Sequence, residues 1–455
     1  MVHLFKNNGH NIVLDVESGS VHEVDELAYD MIGLYGEMDR SEVISQVGKL
    51  HPKTSEEELS EVYDEISTLK DEGELFTEDK YRDRVIDYTK RPTVVKALCL
   101  HVAHDCNLSC RYCFAGEGEY HGARGLMSYE TGKQALDFLI DNSGSRHNLE
   151  VDFFGGEPLL NIDVVRQLVA YGRSREAESN KHFRFTLTTN GVLLDDEIIA
   201  FLNAEMDNVV ISLDGRKEVH DRMRPLRGGQ GSYDMILPKL LRFKELRGDK
   251  KYYVRGTFTH HNLDFAEDVL HMAELGFKEL SIEPVVAKET DDYAIKEGDL
   301  EVLFSEYDRL AAEMERRIGR DDWFDFFHFM IDLEGGPCVY KRLSGCGSGT
   351  EYLAVTPSGE LYPCHQFAGM PEFLMGDVWK GIVRDDLREG FAGCNVYSRP
   401  ACRDCFAKYY CSGGCAANAY NFTGDIRGNY ETGCALQKKR IECALMLKCA
   451  EQGDN

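Results

Sequence analysis

From residue 94 to about residue 290 the chain repeats one pattern: a β-rich run, a loop, then a helical stretch. The runs are TVVKALCLHVA, LEVDFFGG, FRFTLTTNG, NVVISLDG, YYVRGTFT and ELSIEPVV; SYETGKQALDFLIDNS and DFAEDVLHMAELG are two of the intervening stretches. Six strands alternating with helices predict a parallel α/β sheet. The segment is short for a closed eight-unit barrel of ~250 residues. Six units predict an open, partial (β/α)6 barrel with its ligands at the strand C-termini.

The flanks read differently. In residues 1–75, three short runs (HLFKNNG, NIVLDVE, SVHEV) with a turn at Asn8-Gly9 predict strands. Three helices follow, the second with Ser41 as its expected N-cap and the third closed near Gly73. This is the order of a winged-helix-like module. Residues 76–93 read as a polar linker, and residues 295–335 as largely helical. From residue 338 onward Gly and Cys rise and the strands shorten. The expected domains are 1–90 (recognition unit and linker), 91–310 (partial barrel), 311–345 (bridge) and 346–455 (cysteine-rich).

Charge excludes one class of function. With 79 acidic and 52 basic residues the net charge is −27, the opposite of a nucleic-acid footprint. Residues 1–90 alone carry 22 acidic and 9 basic side chains, so the N-terminal unit is expected to bind protein or peptide rather than DNA. No run approaches the ~18 apolar residues of a membrane span, and the N-terminus lacks a signal-peptide pattern. A cytoplasmic protein with no membrane partner is expected.

Of the 15 cysteines, Cys99, Cys106, Cys110 and Cys113 sit together and none lies between Cys113 and Cys338. Clustered cysteines in a long chain without a secretion signal point to metal or redox chemistry. Cys106, Cys110 and Cys113 follow the first strand of the α/β part with spacing C-x3-C-x2-C. Three thiolates on one loop can hold three irons of a cubane and leave the fourth open; zinc or core cysteines are the bland alternatives.

With Tyr112 as the aromatic, this loop resembles the C-x3-C-x-aromatic-C signature of the radical S-adenosylmethionine (SAM) enzymes. Gly155-Gly156-Glu157-Pro158, Thr188-Thr189-Asn190-Gly191 and Ile211-Ser212-Leu213-Asp214-Gly215 follow at successive strand ends, then His220-Asp221-Arg222-Met223-Arg224. The resemblance implies SAM on the open iron, with Tyr112, Gly155, Gly156, Glu157, Asn190, Ser212 and Arg224 around it. It also implies reductive cleavage of SAM to a 5′-deoxyadenosyl radical, fed by an external electron donor. Glu157 and Arg224 are the expected partners of the SAM ammonium and carboxylate, and the glycines are expected to let backbone approach the ligand.

The later cysteines, Cys346, Cys364, Cys402-x2-Cys405-x5-Cys411-x3-Cys415 and Cys434, resemble the seven-cysteine SPASM domain. That resemblance implies two auxiliary 4Fe-4S clusters, three clusters in all. Cys346, Cys364 and Cys415 belong to the nearer one, with Cys338 as candidate fourth ligand or an open iron for substrate. Cys402, Cys405, Cys411 and Cys434 close the distal one. Cys99, Cys394, Cys443 and Cys449 fit no ligand slot and read as buried apolar thiols. Sulfatase-maturing members carry Asp directly after the cysteine equivalent to Cys364. Here His365 stands there, as a base or as a hydrogen-bond partner of the cluster, and sulfatase maturation is put in doubt.

The whole resembles thioether-forming maturases of ribosomal peptides, most of all the clostridial maturases of "six cysteines in forty-five" (SCIFF) peptides. The N-terminal unit would then bind the leader of a precursor peptide by strand addition. A chain starting near Pro92 is expected to keep its clusters and to cleave SAM slowly. Carbon–carbon crosslinking or epimerisation is the alternative within the class. An iron–sulfur DNA-binding regulator is the alternative outside it.

Overall fold

The structure is a computed structural model, and it describes residues 1–82, 90, 93–120, 122–333 and 338–453. Much of the linker expected over 76–93, Pro92 included, lies outside the described residues, as does part of the bridge expected over 311–345.

Strands β1 (Val2–Asn7), β2 (His10–Asp15) and β3 (Val21–Glu23) form an antiparallel meander. Asn8 and Gly9 both take positive φ at the two-residue β1–β2 turn, the geometry that makes Asn-Gly the preferred pair there. Helices α1 (Glu26–Leu34), α2 (Arg40–Leu50) and α3 (Glu56–Glu72) follow, and Gly73 closes α3 in the left-handed conformation. The N-cap of α2 is Asp39, not Ser41. The Asp39 carboxylate accepts from the backbone N–H of Glu42 at 3.0 Å and from the Ser41 hydroxyl at 2.7 Å. An anionic oxygen two residues earlier captures the same donors, so the helix starts sooner than the serine suggests.

The main sheet is built from β4 (Ala97–His104), β5 (Gly125–Leu126), β6 (Asn148–Gly155), β7 (His182–Thr189), β8 (Asn208–Ser212), β9 (Tyr252–Phe258) and β10 (Glu279–Pro284). Helices α4 (Tyr129–Asn142), α5 (Ile162–Ser179), α6 (Asp196–Glu205), α7 (Lys217–Met223), α8 (Tyr233–Arg247) and α9 (Phe265–Glu274) connect them. The six long strands pair in parallel in the order β10-β9-β8-β7-β6-β4, and β5 pairs with β4 antiparallel. Alternation along each strand divides the sheet into two faces. On β6, Leu149, Val151 and Phe153 join the large core, whereas Phe154 packs against a second, inner cluster with Cys99 and Cys364. This is the α/β partial barrel expected for the radical SAM fold.

Two extensions were not foreseen. Helix α10 (Leu300–Glu315) is followed by a two-residue strand, β11 (Asp325–Phe326), parallel to β10, so the stretch 295–335 is not wholly helical. After α11 (Val339–Ser344), β12 (Tyr352–Val355) pairs in parallel with β4 and carries the sheet on through β13 (Glu360–Tyr362), β14 (Gly376–Asp377) and β15 (Gly381–Ile382). The cysteine-rich region is thus welded to the barrel by main-chain pairing. Its helices are α12 (Asp385–Ala392), α13 (Pro400–Arg403), α14 (Lys408–Cys411), α15 (Ala416–Thr423) and α16 (Glu431–Gly453).

The N-terminal meander is equally built in. Phe5, Ile12, Leu14 and Val16 belong to the same core as the barrel and α16, whereas Val13, Val2 and Leu4 pack on the separate core of α1–α3. Among the described residues no helix is long and apolar enough to cross a membrane.

Candidate active site and iron–sulfur ligand sets

The loop carrying Cys106, Cys110 and Cys113 leaves the C-terminal end of β4 and is stapled to the segment after α7. Ser109 N–H donates to Pro225 O and Arg111 N–H to Met223 O, both at 2.9 Å. Cys106 Sγ receives the Leu108 N–H at 3.5 Å and the Asn190 side-chain amide at 3.6 Å. Burial, then repulsion from Glu157, pushes the Cys106 thiol up to about 11; burial also holds Cys110 at about 12, while Arg224 acts in the opposite sense. Each also feels Cys113. Desolvated thiols with donors already aimed at a sulfur suit thiolates stabilised by iron. Among the described residues no three His, Cys, Asp or Glu side chains gather as a single metal ion requires.

Gly155 and Gly156 make a close approach, but to the protein's own backbone. A Cβ on Gly155 would lie 2.2 Å from Ala103 O and one on Gly156 2.1 Å from Asp105 O. The contact holds the end of β6 against the root of the cysteine loop, where Gly156 N–H donates to Ala103 O and Glu157 N–H to Asp105 O, both at 2.8 Å. Glu157 is 1% exposed. Its carboxylate accepts from Asn190 N–H (2.8 Å), Thr189 Oγ1 (2.9 Å) and Leu159 N–H (3.0 Å), and burial raises it to about 7. Its side chain is therefore committed to joining the ends of β6 and β7, which turns Asn190 toward Cys106.

A second buried network holds Arg224. Asp214, fully buried, accepts from Arg224 Nε at 2.9 Å, Tyr112 OH at 2.6 Å and Thr257 N–H at 2.9 Å. The Arg224 guanidinium lies over the Tyr112 ring, 5.4 Å from its centroid. His220 supports the same turn: its Nδ1 accepts from Asp214 N–H, and its Nε2 pairs with Ser232 Oγ, which donates to Arg224 O. Ser212, half-buried at the end of β8, lies two residues before Asp214. Sequence reading placed Tyr112 and Arg224 in the site but passed over Asp214, which orients both. Its only signal was its place in Ser212-Leu213-Asp214-Gly215.

The later cysteines gather into two sets. Burial raises Cys364 and Cys415, and Cys346 lies near enough to both to add to that rise, as Cys415 does at Cys364. Separately, burial and then the neighbouring Cys402 and Cys405 raise Cys411 and Cys434, and the Asn429 amide donates to Cys402 and Cys434 at 3.5 and 3.8 Å. Cys338 stands exposed at the start of α11. Cys99, Cys443 and Cys449 are buried. Cys394 is half-buried in polar surroundings, accepting from Arg399 at 3.1 Å, so it is not an apolar thiol.

The two cysteine regions meet. Cys113, Ala115 and Tyr120 share the inner cluster with Cys99, Phe154 and Cys364. His365 packs its ring against Phe154 (centroids 5.2 Å apart) and Phe114 (5.6 Å), and its Nδ1 lies 3.2 Å from Tyr352 OH. Burial lowers His365 to about 4.

Residues 100–282 match the model of the Radical SAM superfamily. Those residues are the ones similar to radical SAM domains. Their six strands and cysteine loop are the elements described above. Over nearly its whole length the chain is similar to the radical SAM cyclopropyl synthase TigE of Paramaledivibacter caminithermalis: 21% identity, covering 93% of this chain and 90% of that one. It is 26% identical to the PqqA peptide cyclase of Gluconobacter oxydans, covering 78% of this chain and 95% of that protein. Among solved structures, anSMEcpe with bound AdoMet and Cp18Cys peptide superposes with a TM-score of 0.65 at 18% identity, covering 79% of this chain and 99% of that one. That likeness extends the shared fold well past the radical SAM domain into the cysteine-rich region.

Proposed function

We propose that this chain is a radical SAM maturase of a ribosomally made, cysteine-rich peptide, joining a Cys sulfur to a carbon as an intramolecular thioether. The observation that carries the reading is the inner cluster, where Cys113 of the first cysteine loop and the later Cys364 pack into one group of side chains. A peptide held there reaches both cysteine regions at once. Peptide substrates named for two similar proteins, the PqqA peptide and the Cp18Cys peptide, support a peptide for this chain.

Cys106, Cys110 and Cys113 would hold a 4Fe-4S cluster, and the two later sets would hold auxiliary clusters. Bound beside the first, SAM would supply a 5′-deoxyadenosyl radical able to abstract a hydrogen atom. The chain's own residues do the rest. Asp214 aims Arg224 at an anionic group near Cys110, Glu157 fixes Asn190, and the aromatic wall of Phe114, Phe154 and Tyr120 excludes water. Neutral His365 is better suited to a hydrogen bond with Tyr352 than to gaining a proton at pH 7. The leader of the precursor would add a strand to the N-terminal meander, and an external donor would supply electrons.

The test is mass spectrometry after iodoacetamide treatment of the peptide encoded by the small open reading frame beside this gene. Thioether formation removes two hydrogens and one alkylatable thiol per crosslink. A loss reversed by reductant means a disulfide. A loss with every thiol still alkylatable means a carbon–carbon bond.

A further inference from the structure

Among the described residues, the inner wall of the barrel carries a carboxylate with no cation paired to it. Glu283 on β10 faces Arg440 at 3.4 Å, His328 at 3.5 Å and Arg255 at 3.7 Å, and is held at about 2. Asp214 is paired with Arg224 at 2.9 Å. Asp152 on β6 forms no ion pair among the described residues. It sits in register between Cys99 of β4 and Thr186 of β7, half-buried on the strand face that Phe154 of the inner cluster shares, about 10 Å of strand before Gly155. The Thr186 hydroxyl stabilises its charge, but burial dominates and raises it to about 6. An uncompensated carboxylate costs stability wherever burial is its main influence, and such groups concentrate where protons move.

Thioether formation, on which this inference rests, needs a proton acceptor. Joining S–H to C–H removes two hydrogens. One leaves the carbon as an atom, taken by the deoxyadenosyl radical to give 5′-deoxyadenosine. The other leaves sulfur as a proton, and the surplus electron passes to an acceptor of the iron–sulfur class as the C–S bond closes. We propose that Asp152 is the base that takes the thiol proton of the substrate cysteine. The groups facing it are Glu150 on its own strand, Arg184 of β7 (paired with Glu150 at 3.7 Å), Cys99 of β4 and Tyr352 of β12. Burial keeps Cys99 and Tyr352 protonated well above neutral pH. His365, bonded to Tyr352, titrates below the relevant range.

The experiment compares the reconstituted full chain with Asp152→Asn, using the neighbouring precursor peptide and counting crosslinks per 5′-deoxyadenosine. Asparagine keeps the shape and the bond to Thr186 but cannot accept the proton. The expected result is unchanged iron content and SAM affinity with at least a tenfold lower ratio. In the wild-type protein the ratio should rise about tenfold from pH 5 to pH 7, as a base with a pKa near 6 ionises. That profile decides the matter alone if the variant loses iron. An equal ratio in Asp152→Asn at full iron content, or a flat wild-type profile, overturns the assignment while leaving the thioether reading intact. A wild-type product with all thiols alkylatable overturns both.

Discussion

The two cysteine regions are supported in opposite ways. The first loop is held from within its own domain. Glu157, Asn190 and Asp214 come from consecutive strand ends and Arg224 from the end of α7, and they are fixed by one another and by Thr257 of β9. The distal set is braced from the other end of the chain. Lys408, 1% exposed, puts its ammonium 2.7 Å from Glu17 and 2.9 Å from Asp79. Tyr409 and Tyr397 donate to the same two carboxylates at 2.8 Å. The His3 ring stacks flat on Phe406, between Cys405 and Ala407, with centroids 3.6 Å apart, and its Nε2 meets Glu442 of α16 at 3.0 Å. The difference teaches that the N-terminal unit is part of the architecture of the distal site. A detachable recognition module, as its sequence suggested, would not share a core with α16.

The largest expected effect is at the self-supported loop. Replacing Cys106, Cys110 and Cys113 with Ala should abolish 5′-deoxyadenosine formation and remove about four of about twelve irons, leaving the later sets loaded. Loss of all iron would show that the two regions are not independent. Next comes removal of residues 1–75, which takes away Glu17, His3 and the strands under α16. We expect loss of the distal cluster, about four irons, where the isolated sequence implied that every cluster would survive. Full iron content in the shortened chain would restore the detachable module and break the contrast.

Lys408→Met sharpens the same point without truncation. It leaves Glu17 and Asp79 buried without their cation, a change worth about 3–5 kcal/mol, read as a lower midpoint in chemical denaturation. The Glu17–Lys408–Asp79 bridge also carries a pH signature. Hydrogen bonding to Lys408 and Tyr397 lowers Asp79 despite its burial. The stability it contributes is present above the ordinary carboxylate pKa and is lost as pH falls through the lowered value. The wild-type midpoint should therefore fall more steeply in acid than that of Asp79→Asn.

The smallest effect is on ligand affinity. Arg224→Ala should weaken SAM binding roughly ten- to a hundredfold, the ~1.5–3 kcal/mol of a charge-assisted contact, with iron unchanged. Asp214→Asn should show part of that loss, since Arg224 stays but is less firmly aimed. Unchanged SAM affinity in both would place the anion elsewhere.

Much of this was legible in the residues. The six strands announced themselves because hydrophobic alternation and helical spacing are local patterns, and the cysteine loop because its three cysteines lie within eight residues. The shortest strand and the long-range pairings escaped for the converse reason. Asp325–Phe326 is a strand because β10 offers a parallel edge, not because its composition demands it, and the short strand readable at Tyr352–Val355 gave no sign that it would pair with β4. Glu157 shows the same limit at the site. Its position before a proline at a strand end was visible, but whether its carboxylate faces a ligand or its own chain depends on Thr189 and Asn190 at the end of β7 and on Leu159 N–H in its own turn.

The sequence by itself determined the parallel α/β core, the cysteine spacings and the acidic surface, because each is written in neighbouring residues or in summed charge. Tertiary structure alone decided which groups became partners. It set Asp214 beneath Arg224, left Asp152 without an ion-pair partner among the described residues, and brought Glu17 to Lys408 across nearly the whole chain. Those outcomes depend on which side chains share a low-dielectric space, where pairing or its absence changes energies by several kcal/mol, and no local pattern encodes that sharing.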